Sequence, residues 1–226
     1  METFKIAAKT FTPHVVKEIS QRIQSAIQER GRCLIGLSGG STPGPVYEAL
    51  GLEKNIDWSR VTLCLIDDRY VPPHHKASNQ LLVHQTLIDG LERVPQVILP
   101  DTLLPMDVCI VGYEYAISLA LQDHGGNFDL LVLGMGDDGH IASLFPVLDH
   151  YSLTTKDLVL HTTTDRFDIH DRISLSPQAL QRANAAILLL SAKKEGVLQQ
   201  LQNSTEGPER WPLKFLEDRT TVFLQS

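Results

Sequence analysis

Asp129-Leu-Leu-Val-Leu-Gly-Met-Gly-Asp-Asp-Gly-His140-Ile-Ala-Ser-Leu-Phe-Pro146 is the stretch of this chain that decides the fold. Its apolar first part predicts a buried strand, and the glycines that follow predict a turn. The turn delivers His140 close to two aspartates. Histidine is the side chain whose ordinary pKa lies nearest neutrality, so it can take or give a proton there. We therefore expect a candidate catalyst at the end of a central strand.

The composition indicates an ordinary globular protein. The chain has 226 residues, 42% hydrophobic and 21% charged, and we expect a single domain over residues 1–226. The formal net charge of −7 argues against a nucleic-acid partner or a membrane surface. We see no signal peptide in the first nine residues and no apolar run of membrane-spanning length. Three cysteines without motif spacing indicate reduced thiols, so we expect a cytoplasmic protein.

Helical and strand patterns alternate along the chain. Helical spacing predicts helices over about 13–30, 45–50, 79–91, 108–121 and 194–202. Apolar runs predict strands over 33–37, 61–66, 130–133, 158–161, 187–190 and 222–224, the last at an edge, and 203–212 is predicted to be a surface loop. This order predicts an α/β fold, a three-layer Rossmann-like parallel sheet with helices on both sides.

Three polar motifs each follow a predicted strand directly. They cover residues 38–43, 67–72 and 134–145. In open parallel sheets, ligands bind where the strands end, because all carboxyl ends lie at one edge. The sequence therefore predicts one active site built from all three motifs.

The first motif is Gly36-Leu-Ser-Gly-Gly40-Ser-Thr-Pro43. Its glycines allow the backbone to approach an anion, and Ser41 and Thr42 add hydroxyl donors before a helix N-terminus. It lacks the Gly-Lys-Ser/Thr ending of a nucleotide-binding loop, which argues against ATP. An ordinary strand–helix turn with a capping hydroxyl is the alternative. The segment also matches G-x-S-x-G, which would make Ser38 the nucleophile of a serine hydrolase.

The second motif is Asp67-Asp-Arg69-Tyr-Val-Pro72. Arg69 could bind a phosphate or polarise a carbonyl group. The alternative is a strand-end salt bridge, which contributes little stability. Ser78 and Asn79 are predicted to cap the next helix.

Two other patterns suggest functions that the surrounding sequence does not support. The segment from Gly134 to Gly139 matches the dinucleotide fingerprint G-x-G-x-x-G, but its two aspartates would face a pyrophosphate and Pro146 leaves little room for the long helix. His74 and His75 lack the further ligands of a metal site, so we expect no metal. His140 could alternatively be a hydrogen-bonded structural histidine.

Taken together, the three motifs resemble those of the 6-phosphogluconolactonase family. The resemblance covers residues 32–194 and is most specific over 134–146; Arg172-Ile-Ser-Leu175 and Lys194 resemble two further family positions. Asp68 stands where the family usually has glutamate. Glucosamine-6-phosphate deaminases share the fold and the Asp-Gly-His turn. Their histidine precedes Ile-Ala-Phe-Asn-Glu-Pro, and the Asn-Glu pair is missing here.

The resemblance implies a hydrolase of the pentose phosphate pathway that converts 6-phospho-D-glucono-1,5-lactone to 6-phosphogluconate. His140 would activate water, Asp138 or Asp67 would orient the imidazole, and Arg69 would stabilise the oxyanion. The phosphate would be held by Ser38, Gly39, Gly40, Ser41, Thr42, Arg172 and Lys194. We expect no cofactor, a small sugar-phosphate lactone as the ligand, and a monomer or small homo-oligomer. A deaminase and a non-catalytic sugar-phosphate sensor remain alternatives.

Overall fold

A buried parallel sheet forms the centre of the protein, and the structure, a computed structural model, describes all of residues 1–226. The strands of the whole protein are β1 Glu2–Ile6, β2 Cys33–Leu37, β3 Val61–Leu65, β4 Asp67–Arg69, β5 Gln96–Ile98, β6 Leu130–Leu133, β7 Val159–Thr163, β8 Asp171–Leu175, β9 Ala186–Leu190 and β10 Thr220–Gln225. Its helices are α1 Ala8–Arg30, α2 Pro43–Gly51, α3 Asn79–Thr86, α4 Met106–Asp123, α5 His150–Thr154, α6 Pro177–Leu180 and α7 Glu195–Asn203. None of these helices combines the length and the apolar character that crossing a membrane requires.

The main sheet has seven strands in the order β1-β10-β9-β6-β2-β3-β5, and every neighbouring pair is parallel. The central strands β2, β6 and β9 are buried along their whole length. Strands covered on both faces read as continuous apolar runs, and Leu130–Leu133 is one of them. The predicted parallel α/β architecture is therefore confirmed.

Helices cover the two faces of this sheet as two separate layers. Buried side chains of α1, α2 and α3 pack in one apolar cluster with one face of the sheet, whereas those of α4, α6 and α7 pack in a second cluster with the other face. The apolar spacing of α1 is the reason for its orientation, because Val15, Ile19 and Ile23 all fall on its buried side. The three-layer arrangement fixes all strand ends relative to one another.

A second, antiparallel sheet of three strands was not predicted from the sequence. Its order is β4-β8-β7, with Arg69 opposite Arg172 and Asp67 opposite Ser174. The predicted strand at 158–161 belongs to this sheet and not to the parallel one. Hydrogen bonding joins the two sheets, because Leu175 donates its backbone N–H to the carbonyl of Ile66 just beyond β3. The first three residues of the second motif therefore form a strand of the small sheet.

Further elements also differ from the sequence prediction. No element was predicted for β1, α5 or α6, and three other differences concern β10, β5 and α3. The strand predicted at the edge, β10, lies inside the sheet between β1 and β9, because β1 pairs with its outer side. Strand β5 has only three residues, too few to produce an alternating pattern. Helix α3 ends at Thr86 and a 3-10 turn over Ile88–Gly90 follows, so the predicted helix over 79–91 is shorter than expected.

Candidate active site

A cavity of about 210 Å³ lies where the three motifs meet at the carboxyl ends of the parallel strands. Its lining includes Ser38, Gly39, Gly40, Ser41, Thr42, Asp67, Arg69, Asn79, His140 and Lys194. Asp138 and Arg172, which the sequence also suggested, are not among the lining residues. The structure therefore brings nine of the eleven sequence-predicted site residues to one cavity and leaves two beside it.

His140 is held at one of its two ring nitrogens. Its Nδ1 lies 2.5 Å from Oδ1 of Asp138, and the same oxygen accepts a hydrogen bond from the backbone N–H of His140. An ionised carboxylate can only accept, so Nδ1 carries the proton in the neutral imidazole. The lone pair then lies on Nε2, which is left available as a proton acceptor.

The carboxylate of Asp138 is kept ionised by its surroundings. Burial acts to raise the pKa of this group, but the hydrogen bond and charge of His140, with the charge of Arg166, lower it to about 2. Oδ2 accepts a hydrogen bond of 2.8 Å from Nη1 of Arg166, and the backbone carbonyl accepts one of 2.9 Å from Nη1 of Arg210. Asp138 is therefore an anion at any pH where the imidazole works as a base.

Close contacts and a positive φ explain why the histidine turn contains glycines at positions 136 and 139. A Cβ at position 136 would overlap Nδ1 and Cε1 of His140, so the imidazole lies directly against the Gly136 backbone. Gly139 has a φ of 88°, and a Cβ there would lie 2.5 Å from Cζ3 of Trp211. Ala142 has a φ of 52°, which is a strained conformation for a residue with a side chain. The contact with Gly136 limits the imidazole directly, and the other two features shape the turn that carries it.

Direct contacts join the three motifs to each other. Oδ2 of Asp67 accepts a hydrogen bond of 2.6 Å from Oγ of Ser143, which follows the histidine turn. Asn79 donates its side-chain amide to the carbonyl of Asp67 and accepts a hydrogen bond of 3.0 Å from Nη1 of Arg69. A Cβ at Gly39 would overlap the Asn79 amide. Asn79 and Ser143 therefore belong to the candidate site as well. The sequence had indicated only a helix-capping role for Asn79 and no separate role for Ser143.

Two arginines provide positive charge near the cavity without carboxylate partners. Arg69 donates from Nη1 to the carbonyl of Ala77, and Arg172 donates from Nε to the carbonyl of Ile169; neither forms an ion pair. Burial, together with the like charge of Arg69, lowers the pKa of Arg172 against the raising effect of the charges of Asp67 and Asp68. The ring centroid of Phe167 lies 5.5 Å from the Arg172 guanidinium. An anion in the cavity would relieve the repulsion between the two cations.

The loop over residues 38–42 leaves four backbone donors free. The N–H groups of Gly39, Gly40, Ser41 and Thr42 make no hydrogen bond within the protein. Gly40 has a φ of 118°, a conformation that favours glycine, and the loop leads into α2 with Pro43 at its first turn. Free N–H groups at a helix N-terminus form a ready anion site.

Ser38 lacks the partner that a serine nucleophile needs. Its Oγ is buried and has no hydrogen bond, while its backbone carbonyl accepts one of 2.7 Å from the Tyr47 hydroxyl. The only side chain that hydrogen-bonds His140 is Asp138. The geometry therefore gives no support to a Ser38–His140 pair.

Lys194 reaches the cavity from the turn after β9. Its Nζ donates 2.6 Å to Oδ1 of Asp137, whose side chain is 94% exposed. Ion pairs of this exposed kind contribute little free energy. Lys194 can therefore exchange this partner for an anion in the cavity.

Asp68 has a structural role beside the candidate site, a role that could not be assigned from the sequence. It is fully buried and accepts hydrogen bonds from the backbone N–H groups of Arg69 and Asn79 and from the Ser78 hydroxyl. Burial raises its pKa to about 6, against the lowering effect of those donors. Oγ of Ser78 also accepts from Gln80, so the predicted helix cap is confirmed. Asp68 fixes the start of α3 and, through it, the position of Asn79.

Fold and cavity together define an α/β protein with a histidine–carboxylate pair and a set of unbonded backbone N–H groups at its strand ends. The family described as glucosamine-6-phosphate isomerases/6-phosphogluconolactonase matches residues 7–224, and the chain belongs to this family.

Known relatives agree with this assignment along nearly the whole chain. A protein named "Probable 6-phosphogluconolactonase" from Dictyostelium discoideum is 38% identical over 210 residues, covering 92% of this chain and 89% of the relative. The 6-phosphogluconolactonase of Synechocystis sp. is 32% identical over 206 residues, covering 88% of this chain and 83% of the relative. The solved structure of 6-phosphogluconolactonase from Thermotoga maritima has a TM-score of 0.86 at 28% identity and covers 100% of this chain and 99% of its own.

Proposed function

We propose that this chain hydrolyses 6-phospho-D-glucono-1,5-lactone to 6-phospho-D-gluconate in the oxidative pentose phosphate pathway. The observation that carries the proposal is the position of His140 in a cavity that also presents four free backbone N–H groups. A base and an anion site in one cavity suit a phosphorylated ester as substrate. The names of the similar proteins support the same reaction.

The chemistry begins with water and ends with the opened ring. Nε2 of His140 takes a proton from water while the water oxygen bonds to the lactone carbonyl carbon. The resulting oxyanion then re-forms the carbonyl, the bond from carbon to the ring oxygen breaks, and the imidazolium returns the proton to that oxygen. Asp138 stabilises the imidazolium between these two steps because it stays ionised beside Nδ1.

The charges of the remaining residues in and beside the cavity suggest their roles in the reaction. Arg69 is free of any carboxylate, so its guanidinium can stabilise the oxyanion. Asp67, fixed by Ser143, provides an acceptor that orients the attacking water. The loop over 38–42 and Lys194 hold the phosphate, and Arg172 strengthens the positive potential from its place opposite Arg69.

One structural observation favours the lactonase over a deaminase. Where the deaminases have the glutamate of their Asn-Glu pair, this chain has Phe145. The ring of Phe145 packs against His140 at 4.8 Å between centroids. Asp138 is then the only carboxylate that hydrogen-bonds His140, as suits a single base acting on water.

We further propose that residues 1–226 act as one cytoplasmic domain. Both apolar clusters share the same parallel sheet, which supports a single folding unit. Cys33, Cys64 and Cys109 are all buried and free, as is usual for a reducing compartment.

The test is lactone hydrolysis with the lactone made in situ and 6-phosphogluconate measured through a coupled dehydrogenase. We expect activity above spontaneous hydrolysis, and H140A should lose about 10²–10⁴-fold in kcat. H84A is the matched control, because His84 pairs only with Asp89 on the surface. Near-normal turnover by H140A would refute the mechanism.

Inactivity of the wild-type protein would redirect the search to the alternatives. Ammonia release from glucosamine 6-phosphate would identify a deaminase, and sugar-phosphate binding without turnover would identify a sensor. A fluorophosphonate should leave Ser38 unlabelled; covalent labelling there would establish the serine-hydrolase alternative.

A further inference from the structure

The hairpin between β7 and β8 reaches the catalytic pair from outside the parallel sheet. Nη1 of Arg166, in the segment that joins the two strands, donates a hydrogen bond of 2.8 Å to Oδ2 of Asp138. Its neighbour Phe167 lies 6.0 Å from the ring of His140 and 6.1 Å from that of Phe145. Two consecutive hairpin residues therefore contact the pair, one at the carboxylate and one at the imidazole side.

Arg166 completes the set of contacts that fixes the Asp138 carboxylate. Oδ1 is occupied by the ring and the backbone N–H of His140, so Oδ2 is the oxygen left to set the rotation of the group. Asp138 stands in a turn between Gly136 and Gly139, where the backbone by itself restrains a side chain weakly. Without Arg166, the carboxylate could rotate away from Nδ1.

Hydrogen bonds within the hairpin and to the histidine turn support this contact. Thr164 accepts a hydrogen bond from the backbone N–H of Arg166 and donates its own N–H to the carbonyl of His170. Thr162 in β7 donates its hydroxyl to the carbonyl of Ser143, which ties the hairpin to the histidine turn. The position of Arg166 is therefore coupled to the segment that holds His140.

We propose that Arg166 is a positioning residue for this reaction, which holds the Asp138 carboxylate so that His140 presents Nε2 to the cavity. This inference rests on the proposed lactonase function. Arg166 does not line the cavity of His140; it lines a neighbouring cavity of about 520 Å³ with Asp138 and Phe167. It acts through Asp138 and leaves substrate binding to other residues.

The first test separates kcat from KM in two variants. R166Q should lower kcat about tenfold with KM nearly unchanged, which corresponds to about 1.4 kcal/mol in activation free energy. R166K should recover most of the rate, because one ammonium donor can replace the single hydrogen bond to Oδ2. R93Q is the matched control, since Arg93 is an exposed arginine that pairs with Asp57 away from both cavities.

The second test asks whether Arg166 acts through Asp138. In a D138N background, the substitution R166Q should cost no further rate, because the carboxylate that it positions is already gone. Multiplicative losses in the double variant would overturn the proposal. A rise in KM at unchanged kcat would overturn it as well, since that result would mean direct contact with substrate.

A third readout does not depend on turnover. The imidazole nitrogens of His140, identified in ¹⁵N NMR spectra by comparison with H140A, should report the Nδ1–H tautomer in the wild-type protein and a mixture in R166Q. If the wild-type protein hydrolyses no lactone, the proposed function fails while this measurement still tests the positioning. An unchanged tautomer in R166Q, with its thermal unfolding like that of R93Q, would overturn the proposal whatever the activity.

Discussion

Nδ1 of His140 and Oδ1 of Asp138 lie 2.5 Å apart, and this hydrogen bond is the only one that the imidazole makes with another side chain. The bond fixes the tautomer and leaves Nε2 free for proton transfer. It also places a negative charge beside the ring at the moment when the ring becomes positive.

The substitution D138N should therefore lower kcat about 100-fold or more, because asparagine can accept from Nδ1–H but cannot stabilise the imidazolium. KM should change little, since Asp138 does not line the cavity. Steady-state kinetics in the coupled assay measures both values. A D138N enzyme with wild-type kcat would remove Asp138 from the mechanism.

Asp138 should also contribute to stability in a defined pH range. Its pKa is lowered to about 2 in the folded protein, so the contribution is complete above the pKa of an unfolded aspartate, about 4. It is lost as the pH falls through about 2. Urea unfolding at pH 6, 4, 3 and 2 should show a stability difference between wild-type and D138N that shrinks on acidification; a difference that grows would contradict this pKa.

The contact of His140 with Gly136 predicts a variant that folds and does not work. In G136A the new methyl group would overlap the imidazole, so the ring must move off its place and kcat should fall about 100-fold. A loss in kcat confined to about twofold would show that the ring can shift without harm. The control is G112A in α4, where an added Cβ meets nothing within 4 Å. That control should keep full activity and gain about 0.5–1 kcal/mol of stability.

Removal of the Asp68 carboxylate should destabilise the protein. D68A leaves the buried N–H of Asn79 without its acceptor and opens a cavity, so we expect a loss of about 2–4 kcal/mol in the free energy of unfolding. S78A should cost less, about 1–2 kcal/mol, because it removes the helix cap and one donor to Asp68 but leaves the carboxylate with its backbone donors. Chemical denaturation of both variants checks the order. An equal or smaller loss in D68A would show that the carboxylate does not organise the start of α3.

Local patterns were sufficient to predict most of the parallel core. The apolar spacing of α1 reflects the burial of one face of the helix, and the continuous apolar run of β6 reflects the burial of both faces of the strand, so both patterns are visible in the sequence. The convergence of the three motifs follows from parallel topology alone. For these reasons residues as distant in sequence as Ser38 and His140 could be assigned to one site, whereas Lys194 was assigned to it only through the family resemblance.

The contacts between motifs could not be predicted in the same way. Gly39 needs to be small because of Asn79, a residue from another element, and Asp67 is fixed by Ser143, which lies 76 positions away. Arg166 lies in a polar connecting segment that has no hydrophobic periodicity. Nothing in the flanking sequence therefore indicates its contact with Asp138. Such contacts depend on the packed fold as a whole.

The place of β10 inside the sheet has a consequence for synthesis on the ribosome. β9 is made well before β10 and pairs with it along an apolar row of residues, Ala186–Leu190. Until residues 220–225 have emerged, one side of β9 has open backbone groups, and β1 has no partner at all. A bare apolar strand edge is a template for pairing with another chain. Nascent chains that stall between these two strands therefore expose two strand edges that the complete fold covers.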